Sequence, residues 1–318
     1  MLLSVFALII GLGLLVWSAD RFVEGAAATA KYLGIPSLLI GMLVIGFGTS
    51  APEMIVSVFA SLQGNSGIAL GNAYGSNIAN IAMVLGITAL LQPIVVQSQV
   101  LKKELPLLLG VSGLAYFWAS DLTITRMEAV SMLVLFVLFM AWSAWISTRT
   151  PEDPLALEAD MALAEHHLSK KQSILWMIIG LIILVLSSRL LVWGAVNIAH
   201  HFGVSDLIIG LTIIAIGTSL PELAASISAV LKKEDDLAIG NVLGSNIFNL
   251  LAVVGIAGGI GAIQVSPEII SRDIPIMLLL TVSLFLSAYR FKAPGRINRV
   301  GGGGLVVFYV TYLVSLAQ

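Results

Sequence analysis

The sequence has no cysteine, which excludes disulfide bonds and thiolate metal centres. It is also poor in charge. Asp, Glu, Lys and Arg make up 11% of its 318 residues, where soluble domains carry about 25%. With 58% apolar residues and a mean hydropathy of +1.01, a water-exposed surface is excluded, and the chain reads as a polytopic membrane protein. No basic patch interleaved with aromatics is present, which removes nucleic acid as a partner. The N-terminus has no basic leader before its apolar run. That run also matches a later segment, so it reads as a first membrane helix and not as a cleaved signal.

What is present is a set of ten apolar runs of bilayer-spanning length: 2–19 extending to 30, 37–61, 68–91, 101–119, 125–146, 173–199, 206–230, 237–262, 273–289 and 302–317. The one long polar stretch, 149–172, divides them five and five and reads as a linker. The two sets align without a gap at an offset of 169. Gly25-Ala26 meets Gly194-Ala195, Gly71-Asn72 meets Gly240-Asn241, and Gly75-Ser76-Asn77-Ile78 meets Gly244-Ser245-Asn246-Ile247. This is an internal duplication. Five spans is an odd number, so the second half enters the membrane inverted. With the N-terminus outside, thirteen Lys and Arg fall in cytoplasmic loops and two, Arg126 and Arg272, in outer loops; Arg189 lies within a helix. The expected architecture is an all-α integral membrane fold of ten helices in two inverted five-helix repeats, 1–148 and 173–318. The 149–172 linker is then cytoplasmic and both termini are outside.

Each repeat carries a broken-helix signal with an acid inside an apolar run: Gly46-Phe-Gly-Thr-Ser-Ala-Pro-Glu53 and Ala215-Ile-Gly-Thr-Ser-Leu-Pro-Glu222. Pro52 and Pro221 remove a backbone donor and are expected to break or bend the helix, exposing carbonyls, with Gly46 and Ala215 foremost. A charge at that depth costs about 3 kcal/mol on insertion scales, so packing alone does not account for Glu53 and Glu222. Thr49 and Ser50 accompany the first acid, and Ser76 and Asn80 lie four apart on the next helix; Thr218, Ser219, Ser245 and Asn249 repeat the set. Every donor atom is oxygen, which suits a hard cation such as sodium, calcium or magnesium. Two carboxylates balance one divalent ion or two monovalent ones.

Other residues have plainer readings. Gly41, Gly75, Gly210 and Gly244 read as close helix packing. Asp20 and Arg189 read as snorkelling side chains. His166, His167, His200 and His201 fall in loops, and Gly301–Gly304 opens the last span.

The paired GTS(A/L)PE and GN-x-x-GSNI-x-N motifs resemble the two alpha repeats of the calcium/cation antiporter superfamily, sodium/calcium exchanger type, in its short prokaryotic form. The resemblance covers nearly the whole chain. It implies a transporter in the cytoplasmic (inner) membrane, and not an enzyme, that exchanges calcium for sodium or for protons without an organic cofactor. It also implies ion ligands at Thr49, Ser50, Glu53, Ser76, Asn80, Thr218, Ser219, Glu222, Ser245 and Asn249. Many exchangers of this type carry Asp where this chain has Asn249, so one acid is missing. An intramembrane acid/base enzyme and a channel are the competing classes. The residues suggest no nucleophile or substrate groove for the first, and inverted repeats favour alternating access over the second. No protein partner is indicated.

Overall fold

A computed structural model describes residues 1–32, 48–96, 98–147, 168–231, 235–288 and 295–316. Gly41, Gly46, His166, His167 and most of the 149–172 linker lie outside the described residues.

Within the described residues the apolar runs form helices, because a backbone in lipid must satisfy its own polar groups. Helix α1 spans Leu2–Tyr32 and α2 Gly48–Leu62. Helix α3 runs over Ser66–Leu91, α4 over Ser98–Ala119 and α5 over Arg126–Ser147. The second set comprises α6, Lys170–Phe202, and α7, Asp206–Leu231. Helix α8 follows as Asp235–Phe248, Asn249–Val253 and Val254–Ile260. Helix α9 consists of Ile269–Asp273 and Ile274–Ala288, and α10 spans Arg299–Leu316. The fold is the all-α membrane fold expected. Two short antiparallel ribbons, which the sequence reading left as loops, join helix ends. β1 (Ile94–Val96) pairs with β4 (Gly295–Ile297), and β2 (Thr123–Ile124) pairs with β3 (Ile263–Gln264). Helix α4 separates β1 from β2, so the ribbons clasp opposite ends of the bundle. At those ends Arg299 donates to the last carbonyl of α3, Leu91, at 3.2 Å, and Arg126 donates to the last carbonyl of α8, Ile260, at 3.1 Å. A cation suits the negative end of a helix.

The long helices α1 and α6 cross antiparallel. A Cβ on Gly25 would fall 2.3 Å from the Met177 backbone nitrogen, and one on its partner in the duplication, Gly194, 2.8 Å from the Ser4 carbonyl oxygen. Only glycine lets the two backbones approach this closely. A second contact of this kind joins α3 to α7, where Gly71 and Gly210 meet; a Cβ on either would stand 2.9 Å from the other's Cα. The packing expectation therefore holds for Gly75 and Gly210: a Cβ on Gly75 would lie 2.8 Å from the Leu211 Cα. Gly302 serves the last span in the same way, with its added Cβ 2.7 Å from the Gly86 carbonyl oxygen.

The helix breaks differ from expectation. Helix α2 continues from Gly48 through Pro52 to Leu62. In α7 the break falls at Ser219, with φ −85 and ψ 4, two residues before Pro221. Pro221 sits in the first turn of the following segment, where its missing N–H has no helical partner to lose. The larger irregularity is π-helical. Asn80–Val84 in α3 and Asn249–Val253 in α8 are single π turns at equivalent positions, each opening on one of the candidate asparagines.

Candidate functional site

Helices α2, α3, α7 and α8 bring the two polar clusters together. Ser50, Glu53, Ser76, Asn80, Thr218, Ser219, Glu222 and Asn249 are fully buried, and Ser245 is buried beside them. Contacts cross between the repeats in equivalent pairs. The Thr49 hydroxyl lies 3.4 Å from the Ser245 hydroxyl, and Thr218 lies 3.4 Å from Ser76.

Residues that the sequence reading did not rank as functional hold this arrangement. Asn72 donates to the Glu53 carbonyl oxygen at 3.1 Å and to Ser57 Oγ at 3.0 Å, while its Oδ1 accepts from Thr218 at 3.1 Å. Asn241 repeats the pattern, donating to the Glu222 carbonyl oxygen at 3.2 Å and to Ser226 Oγ at 3.1 Å, and facing Thr49 at 3.5 Å. Each asparagine thus fastens the acid-bearing turn of its own half to the hydroxyl of the other. Both sit in the duplicated Gly-Asn pairs 71–72 and 240–241, which was the available signal.

Several of the candidate oxygens are left open. Among the described residues, both carboxylate oxygens of Glu53, Oε2 of Glu222, the Ser219 hydroxyl and the Oδ1 atoms of Asn80 and Asn249 are buried with no hydrogen-bond partner. The Thr218 hydroxyl lies within hydrogen-bond distance of Asn72 Oδ1 and of the Ile214 carbonyl oxygen, 3.1 Å from each. Glu222 Oε1 accepts a long bond from Ser50, at 3.5 Å. Buried oxygens without donors are costly in a protein interior, and oxygen donors of this kind are the type that hard cations take. Carboxylate, hydroxyl and amide oxygens fit a hard ion. The Ala215 carbonyl is engaged by Ser219 N at 3.1 Å and Thr218 Oγ1 at 3.4 Å. No cluster of three His, Cys, Asp or Glu occurs among the described residues, so the cluster holds two acids and no softer ligand.

The chain matches the family described as sodium/calcium exchanger protein over residues 3–145 and 172–317. It belongs to that family. It is 47% identical over 313 residues to a putative antiporter, CaxA, of Alkalimonas amylolytica, covering 98% of each chain. It is 42% identical over 313 residues to the inner membrane protein YrbG of Escherichia coli (strain K12), covering 97% of this chain and 96% of that one. The sodium/calcium exchanger MaX1 of Methanosarcina acetivorans is 29% identical over 343 residues, with 97% of each covered. A solved structure of the sodium-calcium exchanger NCX_Mj superposes with a TM-score of 0.66 at 30% identity, covering 99% of both chains. This family member is therefore a cation antiporter of the membrane and not an enzyme.

Outside the cluster, the remaining sequence expectations fare plainly. Arg189 and His201 are exposed, but His200 and His201, expected in a loop, lie in the last turn of α6. The other fully buried acid among the described residues, Asp273, pairs with Arg272 at 2.8 Å and accepts from Tyr312 at 2.9 Å.

Proposed function

We propose that the chain exchanges calcium for sodium across the cytoplasmic membrane by alternating access to a single site between Glu53 and Glu222. The supporting observation is the six unpartnered oxygens, drawn from both halves and all buried. Calcium takes six to eight oxygen ligands, and a pair of carboxylates balances its charge. Sodium draws on the same oxygens, so the two ions compete, and competition at a site that opens to one side at a time yields exchange. The two halves, 1–148 and 173–318, act as inverted repeats. The lysine and arginine bias supports a cytoplasmic 149–172 linker and termini outside. Helices α1 and α6, locked together at their glycine crossings, form the unit suited to slide against the site helices.

The test is calcium-45 uptake into proteoliposomes, with sodium, potassium and proton gradients imposed separately. Uptake driven by an outward sodium gradient and abolished in Glu222→Gln is the expected result. Uptake in sodium-free vesicles driven by a pH gradient reassigns the counter-ion to protons. Wild-type flux in Glu222→Gln removes the site.

A further inference from the structure

We propose that Asn77 and Asn246 are positioning residues: each decides which way an asparagine of the other half points, so that Asn249 and Asn80 present their oxygens, and not their NH2 groups, to the exchange site. This rests on the exchange reading above and adds two residues that were not among the candidate ligands. All four asparagines are buried at the contact between the repeats. Asn77 Nδ2 donates to the Asn246 carbonyl oxygen at 3.2 Å, with the Met277 sulfur at 3.5 Å, and Asn246 Nδ2 donates to the Asn77 carbonyl oxygen at 3.4 Å. Their own Oδ1 atoms accept from the next pair. Asn80 Nδ2 donates to Asn246 Oδ1 at 3.0 Å and Asn249 Nδ2 to Asn77 Oδ1 at 3.1 Å. Two acceptors are left over, the Oδ1 atoms of Asn80 and Asn249, both buried without a partner.

The two ends of an amide have nearly the same shape and opposite chemistry. Its oxygen accepts and attracts a cation; its NH2 donates and repels one. An asparagine at a cation site therefore helps or hinders according to which way it is turned, and something that cannot turn must decide. Here the deciding groups are the two backbone carbonyls, which only accept. The Asn246 carbonyl requires Nδ2 from Asn77, which commits Asn77 Oδ1 to the other side of that amide. Asn77 Oδ1 in turn requires Nδ2 from Asn249, which leaves Asn249 Oδ1 free. The Asn77 carbonyl, Asn246 and Asn80 repeat the sequence in the opposite sense. Turning Asn249 or Asn80 over sets oxygen against oxygen at about the present contact distance, with no water to relieve it. This interlock also fits asparagine at 249, since an ionised aspartate there has no N–H to give Asn77 Oδ1. The brace is crossed, so each half aims the free oxygen of the other. Each aimed asparagine also opens a π turn, an irregularity frequent at functional sites.

The experiment is a pair of double-mutant cycles on the full-length protein in proteoliposomes. The readout is kcat/KM for calcium-45 uptake under whichever gradient, sodium or proton, drives the wild type. Leucine, close to asparagine in shape and without polar atoms, replaces Asn77 and Asn249 singly and together, and then Asn246 and Asn80. Each single replacement is expected to lower kcat/KM about 10-fold, the order of one buried hydrogen bond. If Asn77 acts through Asn249, the double variant is no worse than Asn249→Leu alone; independent effects multiply to about 100-fold. Asn77→Leu combined with Asn80→Leu, its neighbour on the same helix but part of the other brace, is expected to multiply. Multiplication within the Asn77–Asn249 and Asn246–Asn80 pairs, or equal coupling of Asn77 to Asn80, overturns the positioning role and leaves the exchange site standing. A second readout needs no substitution at 77 or 246 and decides the matter where those variants do not fold. In wild-type protein labelled with 15N-asparagine, the side-chain NH2 groups of Asn80 and Asn249 are expected to exchange slowly with deuterium in ion-free buffer, since both point into the interlock. Fast exchange of both places them toward the water of the site and overturns the proposal. A wild type with no calcium uptake under any gradient overturns the exchange reading and this proposal with it.

Discussion

Replacing Glu53 by glutamine separates the stability of the protein from its ion binding, and the two effects have opposite signs. In the ion-free protein both Glu53 oxygens are fully buried and have no hydrogen-bond partner. Exchanging a buried charged group for a neutral one of similar volume commonly stabilises by about 1–4 kcal/mol. The glutamine also brings an N–H toward the Glu222 carboxylate. Without ions, Glu53→Gln is expected to melt higher than wild type. Calcium reverses the ranking. At a calcium concentration 100 times Kd, wild type gains about 2.7 kcal/mol. Deleting one partner of a buried charge interaction costs about 3–5 kcal/mol, a loss of at least about 150-fold in affinity, which leaves the variant a gain of about 0.3 kcal/mol or less. At roughly 2–4 °C per kcal/mol, calcium raises the wild-type melting temperature by about 5–11 °C and that of the variant by about 1 °C. Differential scanning fluorimetry in detergent, in choline buffer with chelator and then with added calcium, reads both effects. A variant that melts lower than wild type without ions, yet keeps the full calcium shift, refutes the idea that Glu53 is an open ligand.

Two other substitutions test the supporting residues. Asn72→Ala and Asn241→Ala each remove contacts to a helix carbonyl, a serine and the opposite threonine; at about 1 kcal/mol per buried hydrogen bond, plus the cavity, each is expected to lower stability by about 2–4 kcal/mol. Their calcium shifts should shrink far less than that of Glu53→Gln, which the same melting assay measures. Asn249→Asp is expected to destabilise the ion-free protein by about 1–3 kcal/mol through the mismatch with Asn77 Oδ1, and unchanged melting counts against the interlock.

The acids and their hydroxyl neighbours were legible because a buried charge in a membrane segment has few explanations, and because it occurred twice. The holding residues were not. Asn77 and Asn246 lie one position beyond Ser76 and Ser245, about 100° round the helix, so a reading based on spacings of four passes over them. They point at the other half, and a contact between halves leaves no periodic trace. The π turns at Asn80–Val84 and Asn249–Val253 escaped for another reason. Neither contains the proline or glycine by which a sequence announces irregular helix, whereas Pro52, which does announce it, sits in a helix that continues. The arginine caps show the same limit. Leu91 and Ile260 are equivalent carbonyls, but Arg299 and Arg126 are not equivalent positions, so the alignment of repeats misses a feature that the fold repeats.

Departures from the twofold pattern go further still beyond the reach of residue identities. Ser50 and Ser219 are the same residue in the same motif, as are Glu53 and Glu222. Yet Ser50 is helical and bonds Glu222, while Ser219 sits at a helix break with its hydroxyl unpartnered and Glu53 left bare. Two closely matched motifs therefore present two inequivalent carboxylates. A single site that must be reached from either side of a membrane requires such inequivalence in any one state, because a perfectly symmetric site would open to both sides or to neither. On the proposed mechanism, the duplication supplies matched oxygens and the unequal packing of the matched helices gives them a direction.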